Sequence, residues 1–215
     1  MREIVFAGMR LEAQPSGALW WPDEGALIVA DLHLGKSARM ARRGGALLPP
    51  FESLDTVARL EAEVARLGPR RLISLGDAFD DDIAANEIAP EIADRLAALT
   101  QRPETIWIAG NHDPVGLGRA VAEMPLGPFT LRHIAGQGPD ISGHFHPKAR
   151  LARRSYRAFL VGAHHLILPA FGTYTGGLDC DGPELRALVG PGIAVLTGPG
   201  MPMRPIGQSA ARQSR

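Results

Sequence analysis

One apolar stretch that runs directly into a carboxylate and an imidazole decides the fold: Ala26-Leu27-Ile28-Val29-Ala30-Asp31-Leu32-His33. Five consecutive apolar residues are typical of a strand that is covered on both faces, as in a parallel sheet. Two similar runs, Arg71–Leu75 and Thr105–Ala109, also lead into polar motifs. Because functional side chains collect at the carboxyl ends of such strands, the pattern predicts a sheet with a functional edge.

The rest of the chain predicts helices first and short strands later. Apolar residues at three- and four-residue spacing predict an amphipathic helix over Glu52–Leu67, and a second helix is expected from Ile88 or Pro90 to Leu99. After His112, short strand-like runs are separated by Gly and Pro, with at most a helical turn around Gly118–Met124. We therefore expect an α/β fold, a sandwich of two β-sheets with helices outside.

Composition favours one globular domain. The chain has 215 residues, of which 45% are hydrophobic, enough to bury a full core. We assign this domain to residues 1–199 and expect a flexible tail over residues 200–215, which are rich in Pro, Gly, Gln and Ser. The single cysteine, Cys180, excludes an intrachain disulfide. With no signal-like start and no apolar stretch of roughly 20 residues, a cytoplasmic protein without membrane association is expected.

Five motifs carry candidate metal ligands, in the order Asp31-Leu32-His33, Gly76-Asp77, Gly110-Asn111-His112-Asp113, His133 and Gly143-His144-Phe145-His146. Together they supply seven candidate ligands: Asp31, His33, Asp77, Asn111, His133, His144 and His146. Seven are too many for one tetrahedral site with an open position, so two ions are predicted. Mixed oxygen and imidazole ligands suit Mn²⁺, with Fe or Zn²⁺ as alternatives. If Asp77 bridges them, the ions lie about 3.5–4 Å apart.

The spacing of the motif residues predicts their local geometry. Asp31 and His33 lie two residues apart, so in an extended segment both side chains point to one face, and His144 and His146 repeat this spacing. Glycines precede three of the motifs, which suggests tight turns where backbone approaches a cation or phosphate. The acids Asp80-Asp81-Asp82 are interpreted mainly as helix caps, with a catalytic role as the alternative.

Two basic segments follow two of the motifs. Residues 36–43 contain Lys36, Arg39, Arg42 and Arg43, and residues 148–157 contain Lys148, Arg150, Arg153, Arg154 and Arg157, with no acid in either segment. They are either solvated surface residues or the flanks of a site for a polyanion. The candidate phosphate contacts are Lys36, Arg39, Lys148, Arg153 and Arg154.

The ordered motifs resemble those of the calcineurin-like metallophosphoesterase superfamily, whose fold is a four-layer αββα sandwich of two mixed sheets. Further blocks resemble the bacterial ligase-associated DNA-damage-response metallophosphoesterases: Leu19-Trp20-Trp21-Pro22, Val29 to Lys36, Leu48-Pro49-Pro50, Ser142 to Lys148 and Leu168 to Gly177. The superfamily resemblance implies that Asp31, His33 and His146 hold one metal, that Asn111, His133 and His144 hold the other, and that Asp77 bridges. For His133 the alternative is a histidine at a strand end near the core.

The resemblance also implies a reaction, in which metal-hydroxide attacks a phosphodiester while His112 protonates the leaving group, with Asp113 orienting the imidazole. The subfamily implies a DNA endonuclease in DNA repair, acting beside an ATP-dependent DNA ligase, an exonuclease and a helicase. The basic segments are compatible with DNA, because Arg binds phosphate in bidentate fashion. The alternatives are a small-molecule phosphoesterase for nucleotides or cyclic nucleotides, and a binding module without catalysis. The oligomeric state is not predicted.

Overall fold

The early strands and the three continuous apolar runs join in one sheet. The computed structural model describes residues 1–112 and 120–207 of the chain. Within these ranges the first sheet has seven strands in sequential order: β1 (Arg2–Phe6), β2 (Met9–Ala13), β3 (Leu19–Trp21), β4 (Ala26–Val29), β5 (Arg71–Leu75), β6 (Glu104–Ile108) and β7 (Ala120–Val121). Strands β1 to β4 pair antiparallel, whereas β4 to β7 pair parallel. The parallel half carries the polar motifs at its carboxyl ends.

The later strands of the described chain form a second, eight-stranded sheet: β8 (Glu123–Leu126), β9 (Phe129–Arg132), β10 (Asp140–Ser142), β11 (Lys148–Leu151), β12 (Arg154–Val161), β13 (His165–Ile167), β14 (Gly192–Leu196) and β15 (Met203–Ile206). Its order is β15-β14-β12-β13-β10-β9-β8, and β11 pairs with β12. Strands β9, β10 and β13 are parallel, so their carboxyl ends also share one edge.

Helices cover the outer faces of both sheets. Five lie in the described ranges: α1 (Lys36–Arg42), α2 (Glu52–Leu67), α3 (Asp82–Glu87), α4 (Pro90–Leu99) and α5 (Pro183–Val189). Apolar residues of α2 and α4 pack on the first sheet, and those of α5 pack on the second. A third core, which includes Phe6, Trp21, Phe129 and Phe159, fills the space between the sheets. The predicted four-layer αββα sandwich is confirmed. None of the described helices has the length and apolar content needed to span a bilayer.

Two helices follow the sequence prediction and three were missed. The predicted helix over Glu52–Leu67 is confirmed and ends at Gly68, which adopts a left-handed conformation with φ +57°. The second helix is confirmed as Pro90–Leu99. Helix α1 has no buried residue and therefore no apolar periodicity to detect. The helical turn expected around Gly118–Met124 is wrong in its described part, which forms β7 and the start of β8.

The expected tail is ordered where it was predicted to be loose. Strand β15 pairs antiparallel with β14, and its last residue, Ile206, is buried in the core beneath α5. A strand at the sheet edge tolerates Pro205, because an edge residue need not donate to a neighbour on its outer side. The prediction of a tail from residue 200 is therefore wrong for Met203–Ile206, while residues 208–215 lie outside the described ranges.

Candidate metal centre

Five strand ends converge at one edge of the sandwich. In the first sheet, Asp31, Asp77 and Asn111 follow β4, β5 and β6, each within three residues of the strand end. In the second sheet, His133 follows β9 directly and His144 comes two residues after β10. The two sheets are joined here, because the backbone N–H of His144 donates to Asp31 Oδ2 at 2.9 Å. The predicted functional edge is thus built from both sheets.

The side chains at this edge form two compact groups. The first cluster is Asp31, His33 and His146, with His33 Nε2 3.2 Å from His146 Nε2 and His146 Nε2 3.3 Å from Asp31 Oδ1. The second cluster is Asp77, His133 and His144, with His144 Nδ1 3.1 Å from His133 Nε2. The amide oxygen of Asn111 joins the second cluster at 2.8 Å from His133 Nε2. The structure therefore brings all seven sequence-predicted ligands together.

The carboxylate of Asp77 touches both clusters. Its Oδ2 lies 3.9 Å from His33 Nε2 in the first cluster and 3.5 Å from His133 Nε2 in the second. Its Oδ1 accepts the backbone N–H of His112 at 3.0 Å. One carboxylate oxygen between two groups of imidazole nitrogens is the arrangement expected of a bridging ligand.

Hydrogen bonds on the far side of the rings set the imidazole tautomers. Asp80 Oδ1 lies 2.7 Å from His33 Nδ1, and the carbonyl of Leu75 lies 2.8 Å from His133 Nδ1. Because each Nδ1 carries a proton to donate, each Nε2 directs its lone pair into the centre. Burial lowers the pKa of His144 and so favours the neutral ring that binds metal.

The donor set fits divalent cations. Asp31 is fully buried, and its Oδ1 has no hydrogen-bond partner among the described residues. A buried carboxylate oxygen without a partner costs free energy unless a positive charge satisfies it. In both clusters, imidazole nitrogens also approach one another at hydrogen-bond distance. Their lone pairs would repel each other unless a cation lay between them. Each cluster combines oxygen and nitrogen donors of the type that bind first-row transition metals.

Left-handed backbone, rather than extended backbone, delivers the ligands. The φ angles are positive at five ligand residues, with values of 55° (Asp31), 45° (His33), 49° (Asp77), 68° (His144) and 46° (His146). Non-glycine residues rarely adopt this region, and such strain is found mainly at functional sites. The expectation that each Asp-x-His or His-x-His pair shares a face of an extended segment is wrong. Asp31 and His33 still reach one cluster, whereas His144 and His146 reach different clusters.

The motif glycines make room for ligand side chains. A Cβ atom on Gly143 would lie 2.6 Å from Asp31 Oδ2. On Gly76 it would lie 2.4 Å from His133 Nδ1, and on Gly110 it would lie 2.2 Å from Asp77 Oδ1. The sequence pattern predicts that these glycines let backbone approach a cation or a phosphate; instead, each makes room for a neighbouring ligand side chain of the centre.

Asp80 supports a candidate metal ligand, whereas the sequence pattern mainly indicates a helix cap at this position. Its fully buried carboxylate contacts His33 Nδ1, Lys36 Nζ at 3.1 Å and Arg39 at 2.7 Å. Burial raises its pKa, but the hydrogen bonds from His33 and Arg39 and the charge of Lys36 outweigh burial and hold the pKa well below its usual range. The expected capping role is confirmed for Asp81, which accepts from the N–H of Ala84 at 2.7 Å.

His112 stands at the rim of the centre. Its side chain is half-buried, and its ring centroid lies 5.9 Å from that of His33. The backbone hydrogen bond to Asp77 fixes its position relative to both clusters. Asp113, the other sequence-predicted catalytic residue, lies outside the described residues.

Most of the basic side chains already have partners within the protein. Lys36 and Arg39 pair with Asp80, and Arg42 pairs with Asp81 and Glu87. In the second segment, Lys148 Nζ donates to the carbonyl of Thr175 at 3.3 Å, and Arg150 pairs with Asp179 at 3.4 Å. Arg43, just after α1, and Arg153 and Arg154, at the turn between β11 and β12, are exposed without an ion pair to a described residue.

Arg157 uses its charge to hold a loop beside the centre. Its guanidinium, whose pKa burial lowers, donates to the carbonyls of Phe171, Gly172 and Thr173. The same loop donates from the N–H of Phe171 to the carbonyl of Ala30 and from the N–H of Gly172 to that of Asp31. Arg157 therefore supports the backbone of a metal-ligand residue from the second sheet.

A protein-family model and solved structures match this chain. The family model of the calcineurin-like phosphoesterases matches residues 26–178, a range that contains both clusters. The crystal structure of the Pseudomonas putida nuclease MPE is 28% identical over 92% of this chain and 96% of that one, with a TM-score of 0.74. The Escherichia coli phosphoesterase YfcE is 16% identical over 86% of this chain and 99% of that one, with a TM-score of 0.44. No curated protein gave a significant match. The chain belongs to the calcineurin-like phosphoesterase family.

Proposed function

We propose that this protein, a metal-dependent phosphoesterase by its family, is a phosphodiesterase that uses two divalent ions and cleaves DNA. The observation that carries the proposal is the pair of clusters that share the Asp77 carboxylate. Two adjacent cations suit phosphodiesters, because the attacking and leaving oxygens can be stabilised together. The similarity to a nuclease over nearly the whole chain supports DNA as the substrate.

In this proposal the ligands divide as the clusters do. Asp31, His33 and His146 would hold one ion, His133, His144 and Asn111 would hold the other, and Asp77 would contact both. Mn²⁺ is the expected metal, with Fe or Zn²⁺ as alternatives. When bound, the ions lower the pKa of coordinated water and neutralise charge on the phosphoryl group.

His112 acts as the general acid. Its backbone N–H is tied to Asp77, and its ring centroid lies 5.9 Å from that of His33, so the imidazole stands at the rim of the residues that would hold the ions. Proton donation to the leaving oxygen contributes a rate factor on the order of 10²–10⁴. We assign the orienting role to Asp113, as the family resemblance implies.

The DNA path runs over the rim formed by the catalytic domain itself. Arg153 and Arg154 are the favoured phosphate contacts, because their side chains are exposed on a hairpin turn. Lys36, Arg39 and Lys148 contribute less directly, since their charges are already engaged inside the protein. A place in DNA repair beside an ATP-dependent ligase, an exonuclease and a helicase, in the cytoplasm, extends the proposal and rests on the sequence blocks quoted above.

A small-molecule phosphoesterase is the second candidate. The observation that favours it is the pairing of the first basic segment with Asp80, Asp81 and Glu87, which reduces the positive field available for a long polyanion. Many phosphate contacts make DNA binding steeply salt-dependent, whereas one phosphate does not. Salt dependence therefore separates the two candidates.

The test compares Mn²⁺-dependent hydrolysis of single-stranded DNA, nicked duplex DNA and bis(p-nitrophenyl) phosphate at several salt concentrations. The proposal predicts cleavage of DNA that falls steeply with salt. It also predicts that His112→Gln keeps both metals but loses most turnover, and that Asp77→Asn loses metal. Hydrolysis of the nitrophenyl ester without any DNA cleavage favours the small-molecule candidate, and equal metal loss in both variants contradicts the assigned roles.

A further inference from the structure

We propose that the cleft beside the metal centre is a nucleobase subsite in which Glu184 accepts hydrogen bonds from the base, a refinement that rests on the proposed function. The cleft is lined by His144, Phe145, His146, Gly177, Leu178 and Glu184 and has a volume of about 320 Å³. This is the volume of about ten water molecules, enough for a nucleobase.

Continuity with the metal centre decides what enters this cleft. Two of its lining residues, His144 and His146, belong to the second and first cluster respectively. When the phosphate of a nucleotide lies at the centre, the group next to that phosphate is brought to the cleft. The cleft therefore takes the sugar and base of a nucleotide adjoining the scissile bond.

The wall of the cleft is fixed by backbone pairing. The N–H of Leu178 donates to the carbonyl of Phe145 at 3.2 Å, and the N–H of Lys148 donates to the carbonyl of Leu178 at 2.7 Å. Gly177 packs directly against the loop between β10 and β11, where a Cβ on Gly177 would lie 2.0 Å from the carbonyl oxygen of His146. A wall held in this way binds a ligand without first paying for its own ordering.

Two apolar side chains offer a surface for a planar ring. Phe145 and Leu178 are half-buried, pack on the core beneath α5 and line the cleft with their remaining surface. The Phe145 ring is also held edge-on against His144, with centroids 5.0 Å apart. Stacking on such a surface stabilises any base, because every base has a π-face.

Glu184 supplies the selectivity. Its exposed carboxylate, in the first turn of α5, makes no hydrogen bond or ion pair with any residue that the structure describes. A free carboxylate repels phosphate, so the DNA backbone leaves the centre on another side. It accepts hydrogen bonds from a base edge, and guanine presents two adjacent donors, N1–H and the N2 amine, that match its two oxygens. Hypoxanthine lacks the amine and is the matched probe.

Calorimetric titration of the Mn²⁺-loaded protein with dGMP and dIMP, each as the 3′- and the 5′-phosphate, tests the subsite. The proposal predicts that dGMP binds at least about fivefold more tightly than dIMP for one of the two isomers. It further predicts that the ratio falls to about one in Glu184→Gln and persists in the control Glu3→Gln, at an exposed position of β1.

The outcomes separate this inference from the function on which it rests. Equal affinities for dGMP and dIMP in the wild type, or an unchanged ratio in Glu184→Gln, overturn the subsite even if DNA is cleaved. Conversely, absence of DNA cleavage overturns the DNA substrate but leaves the nucleotide titration as a valid test of the cleft.

Discussion

Replacing Asp80 by Asn tests how the metal centre is supported, because the change keeps the size of a buried side chain and removes its charge. In the wild type, one carboxylate oxygen contacts both His33 Nδ1 and Lys36 Nζ while the other contacts Arg39. Asparagine keeps one acceptor oxygen but replaces the other oxygen by an NH₂ group, which then faces an N–H donor of a neighbouring side chain. The loss of one hydrogen bond to a charged partner lowers the free energy of unfolding by about 1.5–3 kcal/mol.

The effect on metal is larger and local. Without the negative charge of the Asp80 carboxylate, the remaining acceptor oxygen holds His33 Nδ1–H more weakly and raises the basicity of Nε2 less. Loss of such a partner weakens metal binding about 10–100-fold. The weakening is confined to the ion of the first cluster, because the second cluster takes its support from the carbonyl of Leu75.

The assay is equilibrium titration with Mn²⁺, with the metal content checked by elemental analysis. Asp80→Asn is expected to show one tight and one weakened site. The matched control is Asp81→Asn, since Asp81 caps α3 and pairs with Arg42 without touching a ligand. If both variants bind two ions with wild-type affinity, or both lose them equally, the supporting role of Asp80 is refuted.

Three further predictions concern stability and packing around the centre. Arg157→Met should lower the free energy of unfolding by about 3 kcal/mol, because three loop carbonyls lose a charged donor. The control Arg153→Met, at an exposed position, should change the free energy of unfolding by less than about 0.5 kcal/mol. Urea denaturation measures both. Gly143→Ala should weaken Mn²⁺ binding at least about tenfold, since the added Cβ would lie 2.6 Å from the carboxylate of Asp31. The control in the same titration is Gly176→Ala, whose added Cβ would have no atom of the described residues within 4 Å apart from those of its chain neighbours. The pKa of Asp80 in the folded state lies below its unfolded value of about 3.9. Ionisation of Asp80 therefore stabilises the fold above that pH, and this stabilisation is lost as the pH falls through the folded-state pKa. Metal-free wild type should consequently lose stability below about pH 4 more steeply than Asp80→Asn. Parallel acid curves for the two proteins would contradict the last of these.

The sequence predicted the centre better than it predicted the backbone that forms it. Residue types and their order identified the seven ligand candidates that the structure brings together, since His, Asp and Asn after buried strands have few other uses. Nothing in the sequence indicated left-handed conformations at Asp31 or His146, because Asp and His have no intrinsic preference strong enough to predict them. The tertiary structure imposes these conformations.

Long-range pairing accounts for the remaining misses. Asp80 contacts His33 across 47 residues, and Lys36 contacts Asp80 across 44, so neither pairing is visible in a local pattern. The local pattern of the first basic segment therefore indicates either a polyanion site or a solvated surface, whereas in the structure the segment neutralises buried and half-buried acids. Amphipathic helices such as α2 were predictable because their signal is local; α1, without a buried face, gives no such signal.

Anomalous scattering from crystals grown with Mn²⁺ tests the central claim most directly. The account predicts two peaks about 3.5–4 Å apart, one contacted by Asp31, His33 and His146, the other by Asn111, His133 and His144, with the Asp77 carboxylate between them. A single peak, or two peaks that do not share Asp77, would contradict the two-metal centre proposed for this protein.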